Sequence, residues 1–205
     1  MPEDAKNAVI GLYQRNASAW GGLRGAGVLE RAWLDRFLAV LPCGSPRVLD
    51  LGCGSGVPVA DYLIANGCRI CGVDAAPAML CAARQRFPGH KWVEADMRAL
   101  PPLGRFDGIV AWHSAFHLPP EDQRRMFAVY AALCRPGAPL MFTSGTECDE
   151  VIGDFRGEPL YHASLDSAEY RSLLLAHGFG VLRHIENDGA CGGATVWLAH
   201  RTGKR

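Results

Sequence analysis

The chain has 205 residues, of which 49% are apolar, and a formal net charge of zero. That length and apolar content fit one domain with a well-filled core, and the charge balance argues against a nucleic-acid binder with a broadly basic face. No apolar run approaches the roughly 20 residues of a membrane span, and Met1-Pro2-Glu3-Asp4 is too polar for a secretory signal, so a cytoplasmic protein with no membrane partner is expected.

Residues 3–40 read as two helical segments, broken near Trp20-Gly21-Gly22-Leu23-Arg24-Gly25. The second places Trp33, Leu34, Phe37, Leu38 and Leu41 at helical spacing. Residues 47–51 are short, apolar and β-favouring. They run into Gly52-Cys53-Gly54-Ser55-Gly56, and a helical pattern opens over 57–66. A glycine turn of this kind lets a ligand lie against bare backbone and aims the first amides of a helix at it. A dinucleotide fingerprint would place its third glycine where Val57 stands, and a P-loop would carry a lysine that this turn lacks. Asp50, at the strand end, would repel a pyrophosphate and attract a cation. The turn therefore suits a nucleoside cofactor with cationic groups and no phosphate.

A second strand, 69–74, ends in Asp74, eighteen residues after Gly56. Nucleoside-binding α/β folds carry an acidic side chain near this distance to bind ribose hydroxyls, and a carboxylate accepts strong charge-assisted bonds from a diol. A third strand, from Trp92, ends at Asp96 and is followed by Met97. A fourth spans 106–112. Pro119 and Pro120 open a helix with Glu121 and Asp122 in its first turn, and Met126, Phe127, Tyr130 and Leu133 recur at helical spacing. Arg135-Pro136-Gly137 is a helix stop and turn before a fifth strand, 138–142. Asp166 and Glu169 resemble a capping box that opens a helix to His177, with Gly178 as its stop. Residues 179–185 and 194–199 alternate as strands, and the short connection between them implies an antiparallel pair. Cys191-Gly192-Gly193, before the last strand, reads as a turn in preference to a place of substrate approach.

At Asp50, Gly52, Gly54 and Gly56 the sequence resembles the class I S-adenosylmethionine-dependent methyltransferases, whose first motif is Asp/Glu-x-Gly-x-Gly-x-Gly. The strand ending at Asp74, the strand before Asp96, the Phe106-Asp107 strand and the Pro136-Gly137 turn extend the resemblance over residues 47–145. It implies an α/β, Rossmann-like fold: a seven-stranded, mostly parallel sheet of order 3-2-1-4-5-7-6, its last strand antiparallel, with helices on both faces. It implies S-adenosyl-L-methionine as cofactor, bound outside the carboxyl ends of the strands. Asp50, Gly52, Cys53, Gly54, Gly56, Asp74, Ala75, Trp112 and Tyr13 are the expected cofactor residues. Asp96 would accept from the adenine amino group between Met79 and Met97, two residues equally compatible with plain core packing. Residues 1–40 are expected as a cap on a catalytic core of residues 41–205, all one domain. Tyr13, Trp20 and Arg24 are placed at the site by the same analogy, although Trp20 reads slightly better as a packing residue.

The implied activity is methyl transfer to a small-molecule acceptor. The alternatives are a non-catalytic cofactor-binding partner protein or another nucleotide-dependent enzyme on this fold. Residues 112–118 and the long segment 143–166, a connection of the length that often forms a lid, would flank the acceptor. They supply His113, His117, Tyr161 and His162 as acid–base groups, histidine being the side chain that titrates near neutral pH. Each of these also fits a structural hydrogen bond. Trp112-His113-Ser114-Ala115 stands where base-amino methyltransferases carry Asn/Asp-Pro-Pro-Tyr/Phe, which disfavours a nucleic-acid target. The eight cysteines suit free thiols in a reducing compartment. Cys68 and Cys71 would point to opposite faces of a strand, and His113 and His117 lack a third ligand, so no metal is expected. The oligomeric expectation is a monomer or homodimer.

Overall fold

Nine strands and six α-helices form in a computed structural model that describes residues 2–23 and 28–203, with side chains for 4–17 and 28–203. Arg24 and the side chain of Trp20 lie outside the described residues. Five strands run parallel: β1 (Arg47–Leu51), β2 (Arg69–Asp74), β3 (Lys91–Glu94), β4 (Gly108–Ala111) and β5 (Pro139–Ser144). β8 (Phe179–Asp188) and β9 (Ala194–Arg201) complete a seven-stranded sheet of order β3-β2-β1-β4-β5-β9-β8, in which β9 is antiparallel to both neighbours. This is the expected topology. Only the numbering shifts, because an extra hairpin, β6 (Asp149–Phe155) and β7 (Glu158–Ser164), forms a separate two-stranded sheet within the segment expected as a long connection.

The period-2 alternation of side chains divides the core between the two faces of the large sheet. Leu49, Leu51, Ile109, Leu140 and Trp197 point to one face. Met126, Phe127 and Tyr130 of α5 (Pro120–Leu133) and Tyr170 and Leu174 of α6 (Ser167–Ala176) cover it. Val48, Ile70, Val110, Met141 and Val196 point to the other. There they meet Trp33, Leu34 and Phe37 of α2 (Arg31–Leu38), with α3 (Val59–Ala65) and α4 (Pro77–Arg86) beside them. Gly108 lets α2 approach, since a Cβ there would stand 2.6 Å from Phe37 Cζ. At the start of α6, Asp166 accepts the Glu169 amide at 2.7 Å, one half of the expected capping box. Glu169 itself turns to Arg124 at 2.6 Å.

α2 is a core helix, and only α1 (Pro2–Leu23) stands over the carboxyl ends of the strands. α1 ends at Leu23, within the stretch 20–25 where the break between two helical segments was expected. Its Ala5, Val9 and Leu12 pack on Leu160, Tyr161 and Ala163 of β7. Cap and hairpin are therefore joined by an apolar seam. None of the helices described is long and apolar enough to cross a membrane.

Candidate functional site

β1 and β4 are neighbours, and the chain leaves their carboxyl ends in opposite directions, so a crevice opens there. It forms a cavity of about 500 Å³ roofed by α1 and the hairpin. The glycine turn makes its floor. Gly52 has φ +71, in the left-handed region, and an added Cβ would lie 2.3 Å from Ser114 Cβ. Gly54 has φ +53, and an added Cβ would meet nothing nearer than Met79 Sδ at 4.0 Å. A side chain at Gly54 would therefore fill the cavity that this residue lines. The Gly54 amide donates to Asp74 Oδ2 at 2.8 Å, and the Ala76 amide donates to Oδ1 at 2.9 Å. Burial pushes the Asp74 carboxyl up from the ordinary range against the lowering pull of the amides of Ala76, Gly54 and Ala75. Asp50, Cys53, Ala75 and Trp112 also line the cavity. Gly56 does not: it bends the turn at φ +81, and its Cα faces Phe87 and Trp92.

β3 stops at Glu94, short of the expected end, and Asp96 follows in a turn. Arg98 returns two residues to hold both Asp96 oxygens, at 2.6 and 3.0 Å, and reaches Asp122 Oδ2 at 3.1 Å. These contacts hold the Asp96 carboxyl below its usual range. Asp96, Met97, Arg98, Asp122 and Met79 all line this end of the cavity. Arg98 and Asp122 escaped the sequence reading, although an acid and a base two residues apart after a strand were a usable signal.

Rings wall another part of the cavity. His113 follows β4 with φ +48, and its amide donates to Thr143 Oγ1 at 2.9 Å. Phe116 lies 4.8 Å from His117 and 5.3 Å from His162, centroid to centroid, and His117 lies 4.9 Å from His162. Tyr13 of α1 reaches His117 Nε2 with its hydroxyl at 2.7 Å, and His117 Nδ1 meets the Tyr161 carbonyl at 2.8 Å. A carbonyl only accepts, so Nδ1 carries the proton and Nε2 accepts from Tyr13. Burial pushes the His117 pKa down to about 3, with His162 and His113 adding to it and the Tyr161 carbonyl opposing, so the ring is neutral. Burial also lowers His162.

Tyr13, His113, His117 and His162 thus share one end of the cavity, and Tyr161 does not. Strand alternation aims Leu160 and His162 inward. Tyr161 is fully buried on the other face, donating to Glu150 at 2.7 Å beneath Lys6. Lys6 and Ile10 line the cavity with Tyr13; this helical stripe was legible in the sequence but unused. Among the described residues no three His, Cys, Asp or Glu side chains are grouped to hold a metal ion.

Residues 48–137 match a family described as a methyltransferase domain. The chain is 31% identical to a malonyl-[acyl-carrier protein] O-methyltransferase of Enterobacter lignolyticus over 70% of its own length and 56% of that protein. It is 34% identical to a trans-aconitate 2-methyltransferase of Rhodopseudomonas palustris over 78% of its length and 63% of that protein. The chain thus spans less than two thirds of the length of these curated relatives. A crystal structure of magnesium protoporphyrin IX methyltransferase from Synechocystis with bound SAH superposes with a TM-score of 0.75. That match has 19% identity and covers 96% of this chain and 100% of the other.

Proposed function

The chain belongs to the class I S-adenosylmethionine-dependent methyltransferases, and from that premise we propose that it binds S-adenosylmethionine in this cavity and methylates a small-molecule acceptor. The observation that carries the reading is the Gly52–Gly54 floor held to the Asp74 carboxylate. The residues fit the cofactor. Gly54 leaves space that a Cβ would take. Asp74 is held by the backbone amides around it and lines the cavity, where its carboxylate would accept from a ribose hydroxyl. Asp50 and Asp74 give the turn a negative potential that suits a sulfonium and an ammonium. A dinucleotide's pyrophosphate would meet those same carboxylates with no cation in the turn.

When bound, S-adenosylmethionine supplies an activated methyl group on a sulfonium. The rest falls to the chain. Asp74 holds the ribose, and Met79 and Met97 flank the adenine. Asp96, which Arg98 holds through its guanidinium and its backbone amide, would stand beside the adenine amino group. α1 and the hairpin exclude water, and the ring-walled end positions the acceptor, which in such a reaction supplies much of the rate. The same reading takes α1 as the cap of one domain and the protein as a cytoplasmic monomer or homodimer. Its net charge of zero accords with the absence of a nucleic-acid partner.

Calorimetric titration with S-adenosylmethionine, S-adenosylhomocysteine and NAD tests the reading. The first two are expected to bind and NAD not. Asp74→Ala is expected to weaken binding tenfold or more, since each hydrogen bond to a charged group is worth about 1.5–3 kcal/mol. A folded protein that binds neither adenosyl compound would defeat it.

A further inference from the structure

Among the described strands β7 pairs only with β6. Its other edge faces the 115–118 turn and α5, and a buried carbonyl on such an edge needs a donor from elsewhere. Two side chains supply one each. His117 Nδ1 donates to the Tyr161 carbonyl at 2.8 Å, and Gln123 Nε2 donates to the Ala163 carbonyl at 2.9 Å. These carbonyls are two residues apart on one strand, so they share an edge, and His162 stands between them.

Gln123 has a second task. It is buried near the start of α5, only 3% exposed, and the same amide nitrogen also donates to the Leu118 carbonyl at 2.8 Å. Leu118 directly follows His117, and Ala163 directly follows His162. One amide therefore ties together the two segments that carry these rings. Its oxygen accepts from the Tyr170 hydroxyl of α6 at 2.5 Å, and Tyr170 in turn accepts the Leu165 amide at 3.2 Å. The amide cannot turn over, because its oxygen would then face two carbonyls.

Met126 and Phe127, the next buried residues of α5, are apolar. A methionine at 123 would fill similar space without burying a polar group. It would not supply two N–H groups and an acceptor on one planar end, which the amide does. Gln123 itself does not line the cavity, whereas Phe116, His117 and His162 do. Their ring centroids lie 4.8–5.3 Å apart, and such a wall favours a flat partner. The wall is sensitive to register, since a slip of β7 by one residue would turn His162 out and Tyr161 in.

We propose that Gln123 is a positioning residue for the methyl acceptor. By tying Leu118 to Ala163 it sets the spacing and tilt of His117 against His162, and so the shape of acceptor that the wall selects, without touching acceptor or cofactor. This rests on the cavity being the methyl-transfer site.

The test compares Gln123→Met, which keeps the length and removes all three bonds, with Met126→Ala, which opens a hole in the same helix and lowers the unfolding midpoint. Nuclear magnetic resonance with labelled histidine reads the cross-peak between the His117 and His162 rings. Calorimetry with saturating S-adenosylhomocysteine reads the affinities of two flat uncharged probes, 4-ethylphenol and 2-naphthol. The unsubstituted protein is expected to show the cross-peak and to prefer one probe by about fivefold or more. Gln123→Met should lose the cross-peak and bind the two probes alike, with the affinity for S-adenosylhomocysteine unchanged. Met126→Ala should keep both the cross-peak and the preference. A cross-peak or a preference that survives Gln123→Met, an equal loss in Met126→Ala, or no preference in the unsubstituted protein would overturn the proposal. Failure of S-adenosylhomocysteine to bind would defeat the methyltransferase reading, and the cross-peak would still decide whether Gln123 holds the two rings.

Discussion

Gly52 and Gly54 stand two residues apart, and an added methyl group would act differently at each. Gly52→Ala drives a Cβ to 2.3 Å from Ser114 Cβ at φ +71. The strain and overpacking should lower stability by about 2–4 kcal/mol, read from the urea midpoint. Gly54→Ala meets no such clash. It should cost only the left-handed penalty of about 1–2 kcal/mol while cutting S-adenosylhomocysteine affinity tenfold or more, because its methyl occupies the cavity. If both variants lost stability alike and neither lost affinity, the turn would be architecture and no ligand floor. Asp74 adds a pH dependence. Its ligand favours the ionised carboxylate, so affinity should be level at neutral pH and fall as pH drops through the Asp74 pKa. Because burial has raised that pKa, the fall should begin above the ordinary carboxylate range; calorimetry across the acidic range reads it. The spacing of Asp50, Gly52 and Gly54 was legible in the sequence because one strand–turn–helix fixes it, and Asp74 because it ends the next apolar strand. The direction of Tyr161 was not, since it depends on which face of β7 packs against α1. Gly56 could not be read either, because the rings it faces, Phe87 and Trp92, come from other elements.

α1 and the β6–β7 hairpin move or stay together. Besides their apolar seam, Arg15 and Asn16 of α1 both bond Glu158, and Lys6 pairs with Glu150. These links are largely exposed and add little to global stability, but they hold the cap where a bound cofactor would have to leave. Glu158→Ala should therefore raise the S-adenosylhomocysteine dissociation rate several-fold and speed amide exchange in α1, with the unfolding midpoint nearly unchanged. An unaltered dissociation rate in stopped flow would show that the cap does not limit release. The hairpin was the element that sequence reading missed. Pro159 and the polar β6 mask its alternation. Its cue was Arg156-Gly157, a two-residue loop with both φ values positive, +57 and +86, the geometry that joins tight hairpins. The apolar stripe of α2 would serve equally well to cover a sheet or a ligand, and only the fold shows that it packs on the sheet.

Ligand binding and folding are coupled through the whole chain. S-adenosylhomocysteine at a hundred times its Kd should add about 2.7 kcal/mol, which for a domain of this size lifts Tm by roughly 5–10 °C. Asp74→Ala at the same ligand concentration should show a much smaller rise in thermal denaturation. Sheet order was legible because alternating strands and helices permit few right-handed arrangements, and the short connection after residue 185 forces the last strand to reverse. That reversal has a consequence for how the protein is made. β9 is the last strand in the sequence yet lies between β5 and β8 in the sheet. Synthesis runs from the amino end, so β5 leaves the ribosome with β4 on one side and a bare, apolar edge on the other. The edge stays bare until residues 194–201 emerge. During that interval the nascent chain offers a template for pairing with its neighbours on the same messenger. A translational pause after β8 would lengthen the exposure, whereas a pause before β5 would not.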